Sequence, residues 1–522
     1  MATTKAEADS KAKKDKPTKY TAISYHTFIF PFLWAIGKDG TTVDIKDFTK
    51  CLPKAWERDK FSEIQNTPEF YAQFRYFNPA ARSAIYDHGD DVNGIVRNYR
   101  FSHIKYGTSK FKIKNTVTHY GPLGKITYEN AEYELYINAF RLKLYNTGIG
   151  LLVYELENHT YGDLTAINRI NDWGRRLYMP FVNDGTCPLC AETVTITLDE
   201  TTAWNSVISG AQYDADKIDL PFFVTNLLTS DNYSITTNIE KANCKTVFYI
   251  EPVIGDRMFV ACIYQNQKWV PLLKEWKDGD VYAYQHDALH KASDAADNLA
   301  KQLYELIFVD GNGTSCLNRQ MLRDLLDDHI YARWLEYGTI TGITEYSMIT
   351  ATTVLEEPAY TATPFLTEYI EMIFLAIAQR ASLLVFERLI SDSAQGKQKI
   401  IDVQQKYIQF QSQLLLQEIT PEQQGIELYD ELLESLFIEK ESAQIENQIA
   451  ALFDRKNYEN DKNESWILFI LAILGVAEAV EIITDWLVPQ LCISDWWKLI
   501  PTVLLVFAIV LYLRIKKSNT TL

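Results

Sequence analysis

The chain has 522 residues, 51 Lys and Arg against 68 Asp and Glu, and a formal net charge of −17. That balance excludes a basic nucleic-acid coat, and direct nucleic-acid binding is not expected. A hydrophobic content of 47% excludes a mainly disordered chain, and seven cysteines in this length exclude a disulfide scaffold.

Met1 to Lys19 carries six lysines and little apolar mass. Residues 1–20 therefore read as a disordered, Lys-rich tail, expected in the cytoplasm because no apolar leader precedes Tyr20. Residues 21–320 read as a cytoplasmic α/β domain. Ala22 to Phe30 alternates in part like a strand. Tyr133 to Glu157 is a hairpin signal, two apolar runs around Asn146-Thr147-Gly148. Asp163 caps a predicted helix running towards Arg176. The stretches from Lys245 and from Arg257 read as further strands.

From about Leu322 the pattern turns helical, and residues 321–464 read as a helical and stalk region. Phe365 to Ile390 is apolar, but Glu368, Glu371, Arg380, Glu387 and Arg388 interrupt it, which predicts a buried helix and not a membrane span. Lys397 to Glu418 is a further helix. Thr420, Pro421 and Gln423 start another, which runs through Ile445, Ile449, Leu452 and Phe453. Glu418 to Ala450 holds nine acids and one base, either an acidic collar that concentrates cations or a solvated helix face.

Residues 465–517 read as two transmembrane helices with a short external connector, and 518–522 as a cytoplasmic tail. Trp466 to Val488 and Leu499 to Leu513 approach the roughly 20 residues that a bilayer core of about 30 Å requires. Tryptophans sit at their ends, as in aromatic belts. Arg455, Lys456, Lys462, Arg514, Lys516 and Lys517 flank the pair, and the connector Thr484 to Asp495 has no Lys or Arg. Positive-inside then places both termini in the cytoplasm and makes the chain a multi-pass protein of the cell inner membrane.

In the first span Glu478, Glu481 and Asp485 fall on one stripe, since positions seven apart lie only about 20° from each other on a helix. Either they form rings of pore-lining carboxylates in an oligomer, or the helix leaves the bilayer at Glu478. The same face continues inward through Leu471, which suits an apolar gate.

In the cytoplasmic part, Arg175 and Arg176 offer guanidinium forks suited to phosphate, with Asn171 and Trp173 beside them for hydrogen bonding and stacking. A surface salt-bridge pair is the other reading. Asp256 and Arg257 open a strand, as a ligand position or an internal ion pair. Arg333, Tyr337, Gly338 and Thr339, followed by Gly342, allow close backbone approach to a phosphate or ribose, or simply make turns. Cys187 and Cys190 are half a zinc site without a second pair, and His286 and His290 lack the metalloprotease glutamate. There is no phosphate-binding Gly-rich loop with Lys and no Gly-x-Ser-x-Gly elbow, so the chain reads as non-enzymatic, with no catalytic or metal residues assigned.

A cytoplasmic α/β domain, long stalk helices and a C-terminal two-helix hairpin together resemble the CorA cation-transporter family. The Gly-Met-Asn tripeptide of that family is replaced here by Gly475-Val-Ala-Glu-Ala-Val-Glu481. The chain more closely resembles the divergent CorA-like proteins found with type III CRISPR systems. The runs that carry this likeness are Asn171 to Arg176, Gly255 to Phe259 and Arg333 to Ser347. The resemblance implies a pentameric homo-oligomer in the lipid bilayer that serves antiviral defence. It implies a cation channel gated by a nucleotide second messenger, an S-adenosylmethionine–AMP conjugate or a cyclic oligoadenylate. No tightly bound cofactor is expected beyond that ligand and, as the other candidate, a divalent cation. The alternative reading is a constitutive CorA-like transporter of a divalent cation such as magnesium.

Overall fold

Strands form where aromatic and β-branched residues crowd together, and the computed structural model describes residues 22–37, 42–61, 68–90, 93–120, 126–178, 190–199, 202–208, 220–266, 290–311, 313–353, 362–396, 399–456 and 458. In chain order the strands are β1 (Ser24–Leu33), β2 (Trp56–Arg58), β3 (Val96–Phe101), β4 (Lys110–Tyr120), β5 (Ile126–Tyr145), β6 (Ile149–Asn158), β7 (Thr193–Thr197) and β8 (Ala203–Val207). They continue with β9 (Ser234–Thr236), β10 (Val247–Tyr249), β11 (Glu251–Pro252), β12 (Phe259–Gln265), β13 (Ile330–Tyr331), β14 (Thr339–Ile343) and β15 (Ser347–Thr352). The helices used below are α1 (Leu164–Gly174), α2 (His290–Ile307), α3 (Arg319–His329), α4 (Ile370–Ala394), α5 (Ile400–Gln413) and α6 (Gln423–Ser435).

Thirteen strands make one sheet, with the path β13-β14-β15-β12-β1-β6-β5-β4-β7-β8. Its pairings are antiparallel except β12 with β15. The hairpin expected between Tyr133 and Glu157 is β5 and β6, turning at Gly148 with φ +91°. β5 is 20 residues long, pairing β4 along its first half and β3 along its second.

β1 is buried at every position, because both faces of the sheet are covered. Phe28, Phe30 and Phe32 join Leu152, Tyr154 and Leu156 of β6 in the core that includes α1 and α2. Burying each such aromatic ring contributes about 1.5–3 kcal/mol. Ile29 and Leu33 point to the other face, where α4 packs on β1 and β6.

α4 continues a π-helical turn at Phe365–Tyr369 and carries the charges that interrupt its apolar run. Ala362–Ala394 is the one described helix long and apolar enough to cross a bilayer, and 89% of its most apolar window is buried inside the protein. Sheet, α5 and α6 surround it, so it is the core helix those charges predict. The fold is thus a large sheet with helices on both faces.

Three details depart from the expectations. β14 and β15 occupy part of the region that reads as helical from Leu322: both are Thr-rich and fully buried, with β15 paired to β12 and β14 to β15. The helix expected to start at Thr420 is capped at Glu422, while Thr420 is buried and donates to the Tyr76 carbonyl. That helix also stops at Ser435; Phe437 takes φ +57°, and helix resumes at 438–445.

Residues Met1–Ile445 form one compact unit and Glu446–Leu522 a second. In the second unit the described residues 446–456 are helical. The hairpin at 465–517, with Leu471, Glu478, Glu481 and Asp485, lies outside the described residues, as do Cys187 and His286.

Candidate functional site

α1 starts at Asp163, whose carboxylate accepts from the Ala166 N–H at 2.9 Å. Its inward face holds Ile167, Ile170 and Trp173, but also Asn168, Asn171 and Asp172, all buried. Gly174 lets the helix end press on β1, since a Cβ there would meet the Phe28 ring at 2.7 Å. That approach carries Asn171, Arg175 and Arg176 into the interior.

Asn171 Oδ1 lies 2.6 Å from His26 Nδ1, and Ser24 Oγ lies 2.8 Å from His26 Nε2. The acceptor on Asn171 fixes the tautomer with the proton on Nδ1. Burial holds the His26 pKa down at about 4 despite that bond, so the ring is neutral at physiological pH. Cys262 Sγ sits 3.6 Å from the same ring, and burial pushes its thiol up to about 12. A neutral thiol beside a neutral imidazole is a packed pair and not an activated nucleophile.

Arg175 and Arg176 follow the helix end. Arg175 Nη2 donates to Asp172 Oδ1 at 3.1 Å and to the Val309 carbonyl at 3.0 Å. Arg176 donates to Asp256 through Nη1 and to Asp172 at 3.4 Å through Nη2. Their side chains are only 3% and 6% exposed. Burial, and then the neighbouring Arg176 and Arg257, hold Arg175 down at about 10 against the pull of Asp172. Burial likewise raises Asp172 in spite of both arginines. The two shifts agree that desolvation outweighs the pairing.

The backbone brings distant segments together here. Arg176 and Arg257 form an antiparallel bridge, the Leu177 N–H donates to the Asp256 carbonyl at 2.9 Å, and the Met258 N–H donates to the Arg175 carbonyl at 2.8 Å. The Val260 N–H donates to the Tyr346 carbonyl at 3.0 Å. Tyr346 then presents its ring 4.9 Å from the Arg257 guanidinium and 5.8 Å from that of Arg175. So Asn171, Arg175, Arg176, Asp256 and Arg257 meet at one place, beside a tyrosine at the end of the third sequence run.

Polar atoms are left over at this place. Arg175 Nε and Nη1, and Arg176 Nε are buried donors without a hydrogen-bond partner, and Asn168 Oδ1 is a buried acceptor without one, among the described residues. Three guanidinium groups pair with two carboxylates, Asp172 and Asp256, and a third carboxylate, Asp310, lies close enough to raise Asp172. An excess of buried guanidinium donors is chemistry for an anion.

The remaining expected ligand residues lie elsewhere. Trp173 is fully buried in the core, 5.9 Å from the Tyr133 ring. Arg333 pairs with Glu427, its Nη1 2.5 Å from Oε1. Tyr337 is 76% exposed, and Gly338 closes a 3-10 turn at φ +71°. Thr339 pairs with Thr352, five residues along β15 from Ser347 and hence about 16 Å from the Tyr346 end. Asp172 and Tyr346 are site residues that residue-by-residue reading passes over. Asp172 was visible as the acid three and four residues before the arginines.

Among the described residues no group of three or more His, Cys, Asp or Glu side chains is placed to hold a metal. No family model matches the chain, and neither a curated protein nor a solved structure does.

Proposed function

We propose that the chain is a membrane effector, a CorA-like cation channel whose sheet domain reads an anionic nucleotide second messenger. The ligand's phosphate is taken by Arg175, Arg176 and Arg257, and its base is offered the Tyr346 ring. The residues at 465–517 supply the membrane hairpin of a homo-oligomer, with Glu478, Glu481 and Asp485 as its cation-attracting stripe and Leu471 as its apolar gate. Function in type III CRISPR antiviral defence follows from the resemblance of the same sequence runs. The observation that carries the reading is the set of buried, unpaired N–H donors on Arg175 and Arg176. Unpaired buried donors are costly, and a bound phosphate would satisfy them.

Calorimetric titration of the purified full chain with an S-adenosylmethionine–AMP conjugate and a series of cyclic oligoadenylates tests it. One of these binds the wild type. Arg257→Ala weakens it by about tenfold or more, since a charge-assisted contact is lost. Arg257 is 29% exposed, so its truncation leaves the core filled. Absence of binding by every member of the panel returns the chain to the constitutive-transporter reading.

A further inference from the structure

On the face of the sheet opposite to the arginine cluster, β3 and β5 place like charges side by side. Arg100 is the register partner of Arg141, and Asn98 that of Lys143. Like charges directly opposite destabilise a sheet unless something compensates them. Arg141 is compensated by Glu155 at 2.8 Å and Glu371 at 3.0 Å, and Lys143 by Glu371 at 2.7 Å. Arg100 stands opposite Glu57 of β2 but makes no ion pair with it, and Lys60, which lines the same cavity, makes none among the described residues. Both are exposed at the rim of a cavity of about 240 Å³ whose lining includes Arg141, Lys143 and Glu371.

The cavity is amphoteric. Asn98 Oδ1 is a buried acceptor without a partner, and the Asp59 carboxylate lies at the rim. Inorganic phosphate alone would leave both unused; a phosphate ester that also carries hydroxyl donors would use them. Phe61 gives the cavity an aromatic side. The volume lies below the range of drug-sized sites and the cavity opens to solvent, so it encloses the sugar and phosphate of one small ligand and leaves any base at the rim. The wall nearest α4 is built from Leu366 and Thr367 of the π-helical turn, an irregularity that recurs at functional sites.

We infer that this cavity binds a small ribose phosphomonoester of mononucleotide size, held by Arg100, Lys60 and Arg141 and sensed by α4 through Glu371. The site goes beyond the messenger reading above and is independent of it: it lies on the other face of the sheet and shares no residue with it. The bound phosphate competes with Glu371 for Arg141, so occupancy changes the restraint on the start of α4.

The test is titration of the purified full chain with AMP, adenosine and inorganic phosphate, followed by hydrogen exchange at residues 365–371. AMP is expected to bind, adenosine and inorganic phosphate at least about tenfold more weakly, and exchange at 365–371 to change with AMP alone. The double variant Lys60→Ala/Arg100→Ala removes two exposed side chains, so the fold is kept, and it is expected to lose AMP affinity by about tenfold or more. AMP affinity unchanged in that double variant overturns the proposal. So does binding lost in Arg257→Ala instead, which assigns AMP to the other face, and so does equal binding of adenosine. Failure here leaves the oligoadenylate and conjugate titrations above unaffected, so the two readings fall separately.

Discussion

Replacing Arg175 and Arg176 together by alanine is expected to destabilise the sheet domain by about 3–5 kcal/mol, because Asp172 then stays buried without either partner. Against a typical total of about 5–15 kcal/mol, such a loss leaves a substantial unfolded fraction. The pH dependence carries the signature. Burial already raises the Asp172 carboxyl, and without the arginines it rises further. A folded state that binds its proton more tightly than the unfolded state loses stability as pH rises from the unfolded value towards the folded one. The double variant is therefore more stable near pH 4–5 than at pH 7 relative to wild type, and adding Asp172→Asn restores part of the loss at neutral pH. Urea denaturation at the two pH values reads this out. Wild-type stability in the double variant would mean that Asp172 finds other compensation. Loss of ligand binding in that variant alone does not identify a phosphate contact, which is why Arg257→Ala is the better probe.

Glu371→Ala is expected to cost a similar 3–5 kcal/mol. It strips Lys143, only 4% exposed, of its carboxylate and removes one of two partners from Arg141. Glu371→Gln keeps the shape and the acceptor oxygen and should cost less. The pair Glu371→Leu/Lys143→Met replaces a buried ion pair with apolar groups of similar volume, so it should recover most of the stability lost by Glu371→Ala. Chemical denaturation of the three variants separates these cases. Equal loss in all three would locate the effect in packing of α4 and not in charge.

Local pattern made much of this fold legible. The β5–β6 hairpin is two alternating runs around a glycine that takes positive φ, the Asp163 cap sits three residues before the N–H it accepts from, and the charges within Phe365 to Ile390 mark a core helix. What lacked local expression was missed. β14 and β15 are five and six residues long and Thr-rich, and β12, the strand that holds β15 in the sheet, lies more than 80 positions earlier. The break at Phe437 has no Gly or Pro to announce it. At the site, the chemistry of each run was legible but their meeting was not. The Arg176–Arg257 bridge and the Val260–Tyr346 hydrogen bond join segments about 80 positions apart. Lys143 and Glu371 are 228 positions apart, and nothing near either residue names the other.

The most direct measurement is ligand-triggered cation flux from liposomes that contain the purified full chain. Nucleotide gating predicts that one member of the nucleotide panel starts the flux, and that Arg257→Ala shifts its concentration dependence upward by about tenfold. Flux that runs at the same rate with and without every nucleotide would contradict nucleotide gating, and no flux under any condition would contradict the channel itself.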